Sequence, residues 1–143
     1  MKEASYIQNG EGKNFDYSQD HVFIKLPSHE TNGELCLVED ILKPGFHLTR
    51  HYHKIMVEIF YIIEGEIEFI FDDKKIMAGK GDTISVPQTV WHEVRSENGC
   101  KMLTLFKNGK FDQYLEKIAA MDENDFNNIS VMKELEEEFD IYH

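Results

Sequence analysis

The chain has 143 residues, 41% hydrophobic and 12% aromatic, enough to bury one core and too apolar for a disordered polymer. Its formal net charge of −12 argues against nucleic acid or an anionic membrane as partner, because neutralising phosphates takes a basic face. The longest apolar run, IFYII at 59–63, is far too short to cross a bilayer. No charged start followed by an apolar run marks a signal peptide, so a cytoplasmic location is expected. Cys36 and Cys100 lie far apart with no CxxC spacing and read as two reduced thiols.

Residues 1–20 are polar, contain glycine and show no period; they are expected to form a loose arm. From His21 the pattern changes to short apolar runs separated by turn residues. HVFIKL ends at Pro27, GELCLVEDIL at Pro44-Gly45, and VEIFYII at Glu64-Gly65-Glu66. EIEFIF ends at Asp72-Asp73, DTISVP follows Gly79-Lys80-Gly81, HEVRS precedes Glu97-Asn98-Gly99, and KMLTLF closes the series. Strands this short, punctuated by Gly, Asp, Asn and Pro, predict an antiparallel sandwich or barrel over 21–108. The absence of helical periodicity there disfavours a parallel βαβ arrangement.

After Asn108-Gly109 the period changes to helical. Phe111, Tyr114, Leu115 and Ile118 fall at i, i+3, i+4 and i+7, one face of a short helix. Met132, Leu135 and Phe139 repeat at helical spacing in a second segment, roughly 129–139, with Ser130 as candidate cap. Residues 109–143 thus read as a helical extension of one domain spanning 1–143. Much of the acidity lies in this tail, since 111–143 carry a net charge of −8, as expected of a solvated helical face.

The chemistry-bearing residues cluster in GFHLTRHYHKIMVEIFYIIEG, residues 45–65. His51 and His53 are two apart, so on a strand both imidazoles leave the same face. Glu58 follows five residues later, which would point it the opposite way unless KIMV contains a turn or bulge. Along VEIFYII, Glu58 shares a face with Phe60 and Ile62, where an unpaired carboxylate is costly to bury and a metal ion removes the cost. His92, five residues after Pro87, supplies a third imidazole from a separate segment. Three imidazoles and a carboxylate suit one divalent transition metal ion: Fe, Mn, Co, Ni, Cu or Zn. On an octahedral ion, four such ligands leave two positions for water, substrate or dioxygen.

These residues resemble the motifs of the cupin superfamily. The pattern G(X)5HXH(X)3–4E(X)6G is matched by Gly45, His51, His53, Glu58 and Gly65, and G(X)5PXG(X)2H(X)3N by Gly81, Pro87 and His92. Thr89 stands where the second motif usually has glycine, and Ser96 where it has asparagine. The resemblance implies an all-β fold, a small double-stranded β-helix barrel related to the jelly roll, with His51, His53, Glu58 and His92 as metal ligands within it. The approach TNGELCLVEDILKPGFHLTRHYH and the acidic tail resemble single-domain bacterial cupins described as quercetin dioxygenase-like.

The expected activity is that of a metal-dependent dioxygenase. Its small apolar or planar substrate would chelate the metal through hydroxyl or carbonyl oxygens, with Glu58 as ligand and possible base. Metal-assisted isomerisation of a sugar-like or keto compound, and non-catalytic binding of a small molecule, stand as alternatives. Phe46, Met56, Phe60 and Trp91 are candidates for an apolar substrate pocket, and His47 for an additional ligand or outer group. Arg50 and Lys54 flank the HxH pair, and a homodimer through an apolar sheet face is expected.

Overall fold

A computed structural model of the chain describes residues 3–143. The strands are β1 (Asn14–Asp16), β2 (Asp20–Leu26), β3 (Leu35–Leu42), β4 (Phe46–His51) and β5 (Val57–Phe71). They continue as β6 (Lys75–Gly79), β7 (Thr83–Val86), β8 (His92–Ser96) and β9 (Cys100–Lys107). Three helices follow: α1 (Phe111–Ala119), α2 (Glu123–Phe126) and α3 (Ile129–Glu138). Neighbouring strands run β1-β2-β3-β9-β5-β8-β4, with β6 and β7 also paired to β5, and every ladder is antiparallel.

β5 organises this sheet because it belongs to both of its walls. Its first half pairs with β9 and β7, and its second half with β8 and β6. The expected stop at Glu64-Gly65-Glu66 is therefore corrected, since VEIFYII and EIEFIF form one strand. A register shift between Ile62 and Glu64, followed by Gly65 at φ 82°, bends the strand while Glu64 and Gly65 stay paired to Lys101 and Cys100. A side chain at Gly65 would place its Cβ 2.5 Å from the Gly99 carbonyl oxygen, so glycine is needed for closeness as well as for φ.

The bend curls the sheet around an apolar interior. Phe60, Ile62, Ile67, Phe69, Ile84, Val86, Val94 and Met102 form one buried cluster, with the Phe60 and Phe69 rings 4.9 Å apart. A second cluster joins Val22, Ile24, Cys36, Val38, Met56 and Phe106 to Leu115 of α1. Both cysteines are free and buried, as the spacing predicted.

Four local expectations change. The arm at 1–20 contains β1, whose Asn14, Phe15 and Asp16 pair with Phe23, Val22 and His21 of β2. Three residues are too few to show a period, so only the neighbouring strand reveals this one. Lys75–Gly79 forms a strand that hairpins onto β5, although KIMAG lacks a clean alternation. Asn128 rather than Ser130 caps α3, its side chain accepting the Val131 N–H at 3.2 Å. The short α2 is held by a reciprocal capping box between Asp122 and Asp125. α1 spans the predicted stripe and buries Leu115.

One polar feature of the interior matters for stability. Asp40 of β3 is buried, lies near Asp20 of β2, and accepts the Thr104 hydroxyl at 3.3 Å. Burial raises both carboxyls above their ordinary range, and like-charge repulsion adds to it, from Asp40 on Asp20 and from Glu58 and Glu39 on Asp40. A raised folded-state pKa gives stability that is full below the unfolded value of about 4 and is lost as pH rises through the folded value. Thermal melts should therefore fall for the wild type between pH 5 and 9 more steeply than for Asp40→Asn. Parallel pH profiles for the two proteins would contradict the raised Asp40 carboxyl.

Candidate metal centre

The centre is assembled at the ends of strands. β4 ends at His51, which lies opposite His92, the first residue of β8. After Tyr52 the chain leaves the sheet, turns through 54–56 and re-enters it as β5, bringing in Glu58. The expected turn in KIMV is present, and it re-aims the carboxylate. Ligand atoms of His51, His53, Glu58 and His92 all lie within 4.8 Å of one another, a set that could hold a metal ion. All four residues are buried, His92 to 1% exposure and Glu58 to 6%.

The proton positions follow from the partners. Nδ1 of His51 is 2.7 Å from the Thr49 carbonyl oxygen, that of His53 2.7 Å from Asp140 O, and that of His92 2.9 Å from Val90 O. A carbonyl oxygen can only accept, so each Nδ1 carries the proton and donates it. Each neutral ring then presents an Nε2 lone pair to the centre, the form a metal requires. His53 Nε2 and His92 Nε2 lie 2.6 and 3.3 Å from Glu58 Oε1. None of these three buried atoms has a hydrogen-bond partner when the rings are neutral. Lone pairs facing one another at this range repel, and a cation among them reverses the sign. Three imidazole nitrogens and a carboxylate therefore fit a divalent transition metal.

Burial and the neighbouring groups act on members of the cluster. Burial pushes the His51 imidazole down to about 4, with the neighbouring His92 adding to the effect. Burial opposes charge on Glu58 also, but the adjacent His53 and His92 side chains outweigh it and hold the carboxyl below its usual range. At His53 burial works downward and the Glu58 carboxylate works upward, with a net rise.

The turn before His92 departs from its motif at a strained position. Thr89 has φ 65°, the left-handed region that glycine enters freely and a β-branched residue enters at a cost. Its N–H donates to the His53 carbonyl at 2.6 Å, so this turn ties one ligand to the approach of another. Ser96, in the asparagine position, is buried and donates its hydroxyl to Glu66 O at 2.8 Å, fastening β8 to β5.

The other candidate residues scatter. His47 is exposed and pairs with Glu93 at 3.0 Å, outside the cluster. Together with Phe46 it lines an open cleft of about 470 Å³ that Glu66, Glu68 and Arg95 also border. Met56 is buried in the cluster under α1, and Phe60 packs against Phe69 in the main core. Trp91, the chain neighbour of His92, lines a space of about 560 Å³ whose walls mix Phe71, Ile76 and Ile84 with Asp72, Asp73 and Lys74. Arg50 stacks 3.9 Å above the Trp91 ring and forms a forked pair with Asp72, while Lys54 sits over Tyr142. Both cations flanking the HxH are thus engaged. Sequence reasoning missed Asp140, which lies more than eighty residues from the loop it touches and leaves no local spacing signal.

Residues 38–106 match the sequence profile described as Cupin domain. The chain carries a cupin domain. Among relatives, a 113-residue stretch is 25% identical to quercetin 2,3-dioxygenase of Bacillus subtilis, covering 78% of this chain and 34% of that protein. A 60-residue stretch is 35% identical to an uncharacterized protein, MJ1618, of Methanocaldococcus jannaschii, covering 42% of this chain and 48% of the other. This cupin therefore spans at most half the length of either relative. Among solved structures, KdgF from Halomonas sp. superposes with a TM-score of 0.67 at 21% identity, covering 76% of this chain and 99% of that one. An RmlC-like cupin from Shewanella frigidimarina gives 0.65 at 20% identity, covering 79% and 99%. At these identities the structures show the shared fold, a curled antiparallel barrel. Among the described residues no helix is long and apolar enough to cross a membrane.

Replacing Thr89 by glycine should relieve the left-handed strain and raise stability by about 1 kcal/mol, net of the added chain entropy. Denaturant unfolding of Thr89→Gly against wild type measures this, and a loss of stability would contradict the strain assignment.

Proposed function

We propose that this cupin is a metal-dependent dioxygenase for a small, apolar or planar substrate with adjacent hydroxyl or carbonyl oxygens. The observation that carries the metal-binding part is the convergence of three Nδ1-anchored imidazoles on a buried carboxylate oxygen. The oxidative part is supported by the likeness to quercetin 2,3-dioxygenase over 78% of the chain. Phe71 and Trp91 in the cleft lined by the chain neighbour of His92 suit the face of a flat substrate, and Asp73 and Lys74 in the same walls suit its polar edge.

His51, His53 and His92 hold the ion through Nε2, and Glu58 through a carboxylate oxygen. When bound, a divalent transition metal supplies Lewis acidity and, for redox-active ions, one-electron chemistry with dioxygen. The Glu58 carboxylate is the group placed to take the proton from a substrate hydroxyl as that oxygen approaches the site. Trp91, braced by Arg50, orients the substrate ring and keeps water from the ligands.

His51→Ala and His92→Ala should each cut metal content sharply by elemental analysis, and unchanged stoichiometry would sink the ligand assignment. Glu58→Gln should keep more metal than either histidine variant while losing turnover. Metal-loaded protein should consume oxygen with flavonols, catechols or enediols at an oxygen electrode. Oxygen-independent turnover with zinc would favour isomerisation instead.

We propose further that a second copy of the chain covers the outer face of β3, β9 and β5. Leu37 and Ile59 both lie opposite Leu105, and Leu103 lies opposite Tyr61, giving a contiguous apolar row with Ile59 38% and Tyr61 46% exposed. The one acid in this row, Glu39 opposite Leu103, is only 8% exposed in a chain of net charge −12, so two copies meet there with little repulsion. Sedimentation should show a dimer at micromolar concentration that Tyr61→Asp dissociates; a monomeric wild type would remove the proposal.

A further inference from the structure

The C-terminal residues after α3 are wired into the metal centre. Asp140 sits at φ 66°, just past the helix, where its Cα–Cβ bond carries the left-handed cost that glycine would avoid. Its side chain faces inward to the loop between His53 and Glu58. One carboxylate oxygen accepts the Lys54 N–H at 2.9 Å, and the other accepts those of Ile55 and Met56 at 2.9 and 2.8 Å. Its own main-chain carbonyl accepts the His53 Nδ1–H at 2.7 Å. The neighbouring residues hold it in place. Ile141 is buried, its N–H donates to Glu136 O at 2.8 Å, and Tyr142 exchanges two main-chain hydrogen bonds with Tyr52 at 2.9 and 3.0 Å. Tyr52 lies between the two ligands of the HxH pair.

We infer that Asp140 is a positioning residue for metal binding, which fixes the His53 ring through its carbonyl and the His53-to-Glu58 loop through its carboxylate. The inference rests on the proposed metal site. Three N–H groups of one short loop that converge on a single anion form a nest, and the anion here is part of the chain. Each of the three bonds is charge-assisted, so together they set the loop that carries the ligand spacing. Strand parity alone cannot bring Glu58 to the same point as His53; this clamp holds the turn that does. The outer partner of a ligating histidine commonly governs affinity tenfold to a hundredfold. A left-handed aspartate at a helix terminus has no advantage over glycine for ending the helix. Its retention of strain is accounted for by the loop it binds.

The test is titration of the metal-free full chain with Co²⁺, followed by visible absorption, for wild type, Asp140→Gly, Asp140→Asn and His51→Ala. Asp140→Gly suits the left-handed helix end and removes only the carboxylate, whereas Asp140→Asn keeps the shape and weakens the anion. Wild type should bind Co²⁺ with a defined d–d spectrum, and His51→Ala should bind far more weakly. Both Asp140 variants should lose Co²⁺ affinity relative to wild type, with an altered d–d band and α3 still formed by circular dichroism. Affinity and spectrum equal to wild type in either folded variant, with His51→Ala weakened, would overturn the positioning role alone. No Co²⁺ binding by wild type, or equal binding by His51→Ala, would overturn the metal site and this inference with it.

Discussion

Four donor atoms whose lone pairs converge in a water-poor interior impose the constraint on which the rest of this structure depends. Neutral imidazole nitrogens and an ionised carboxylate repel one another at close range, and they lie too deep for water to screen them. The fold must therefore hold them against that repulsion before any ion is present. It does so from behind each ring, through the carbonyls of Thr49, Asp140 and Val90. Because those acceptors are main chain, no side-chain rearrangement can release the ring proton, and the metal-facing nitrogen is specified by backbone geometry.

That demand explains several features that otherwise look unrelated. β5 runs through both walls of the barrel, so Glu58 is carried on the strand with the most neighbours and cannot drift from the core. β4 and β8 lie side by side, so His51 and His92 keep a cross-strand separation. The strained Thr89 turn and the Asp140 clamp act on the two non-sheet segments, where a ladder cannot impose the geometry. Rigid elements supply three of the four ligands with their directions, and local polar ties supply the fourth. The acidic tail, which reads as a solvated face along α3, ends in residues that serve the centre.

Legibility followed the range of the interactions involved. Alternation along VEIFYII placed Glu58, Phe60 and Ile62 on one buried face, and the structure keeps that assignment. The stripe Phe111, Tyr114, Leu115, Ile118 became α1. The continuation of β5 through Gly65 was not readable, because a glycine flanked by glutamates signals a turn unless a partner strand is known to keep pairing across it. β1 and β6 owe their strand conformation to β2 and β5 rather than to their own pattern. The apolar pocket residues failed as a group for a similar reason. Phe60 and Met56 are core, Phe46 lines an outer cleft, and hydrophobicity alone cannot distinguish a wall from a filling.

His51, His53 and Glu58, their parity along the strand, the short antiparallel strands and the need for a turn between His53 and Glu58 were legible in the sequence. Those properties depend on residues within about a dozen positions of one another, and side-chain period expresses them directly. Which carbonyl holds each ring, and that Asp140 grips the loop eighty-four residues before it, emerged only with the folded chain. A hydrogen bond between distant segments leaves no periodic trace in either, because its geometry exists only after the barrel has brought them together.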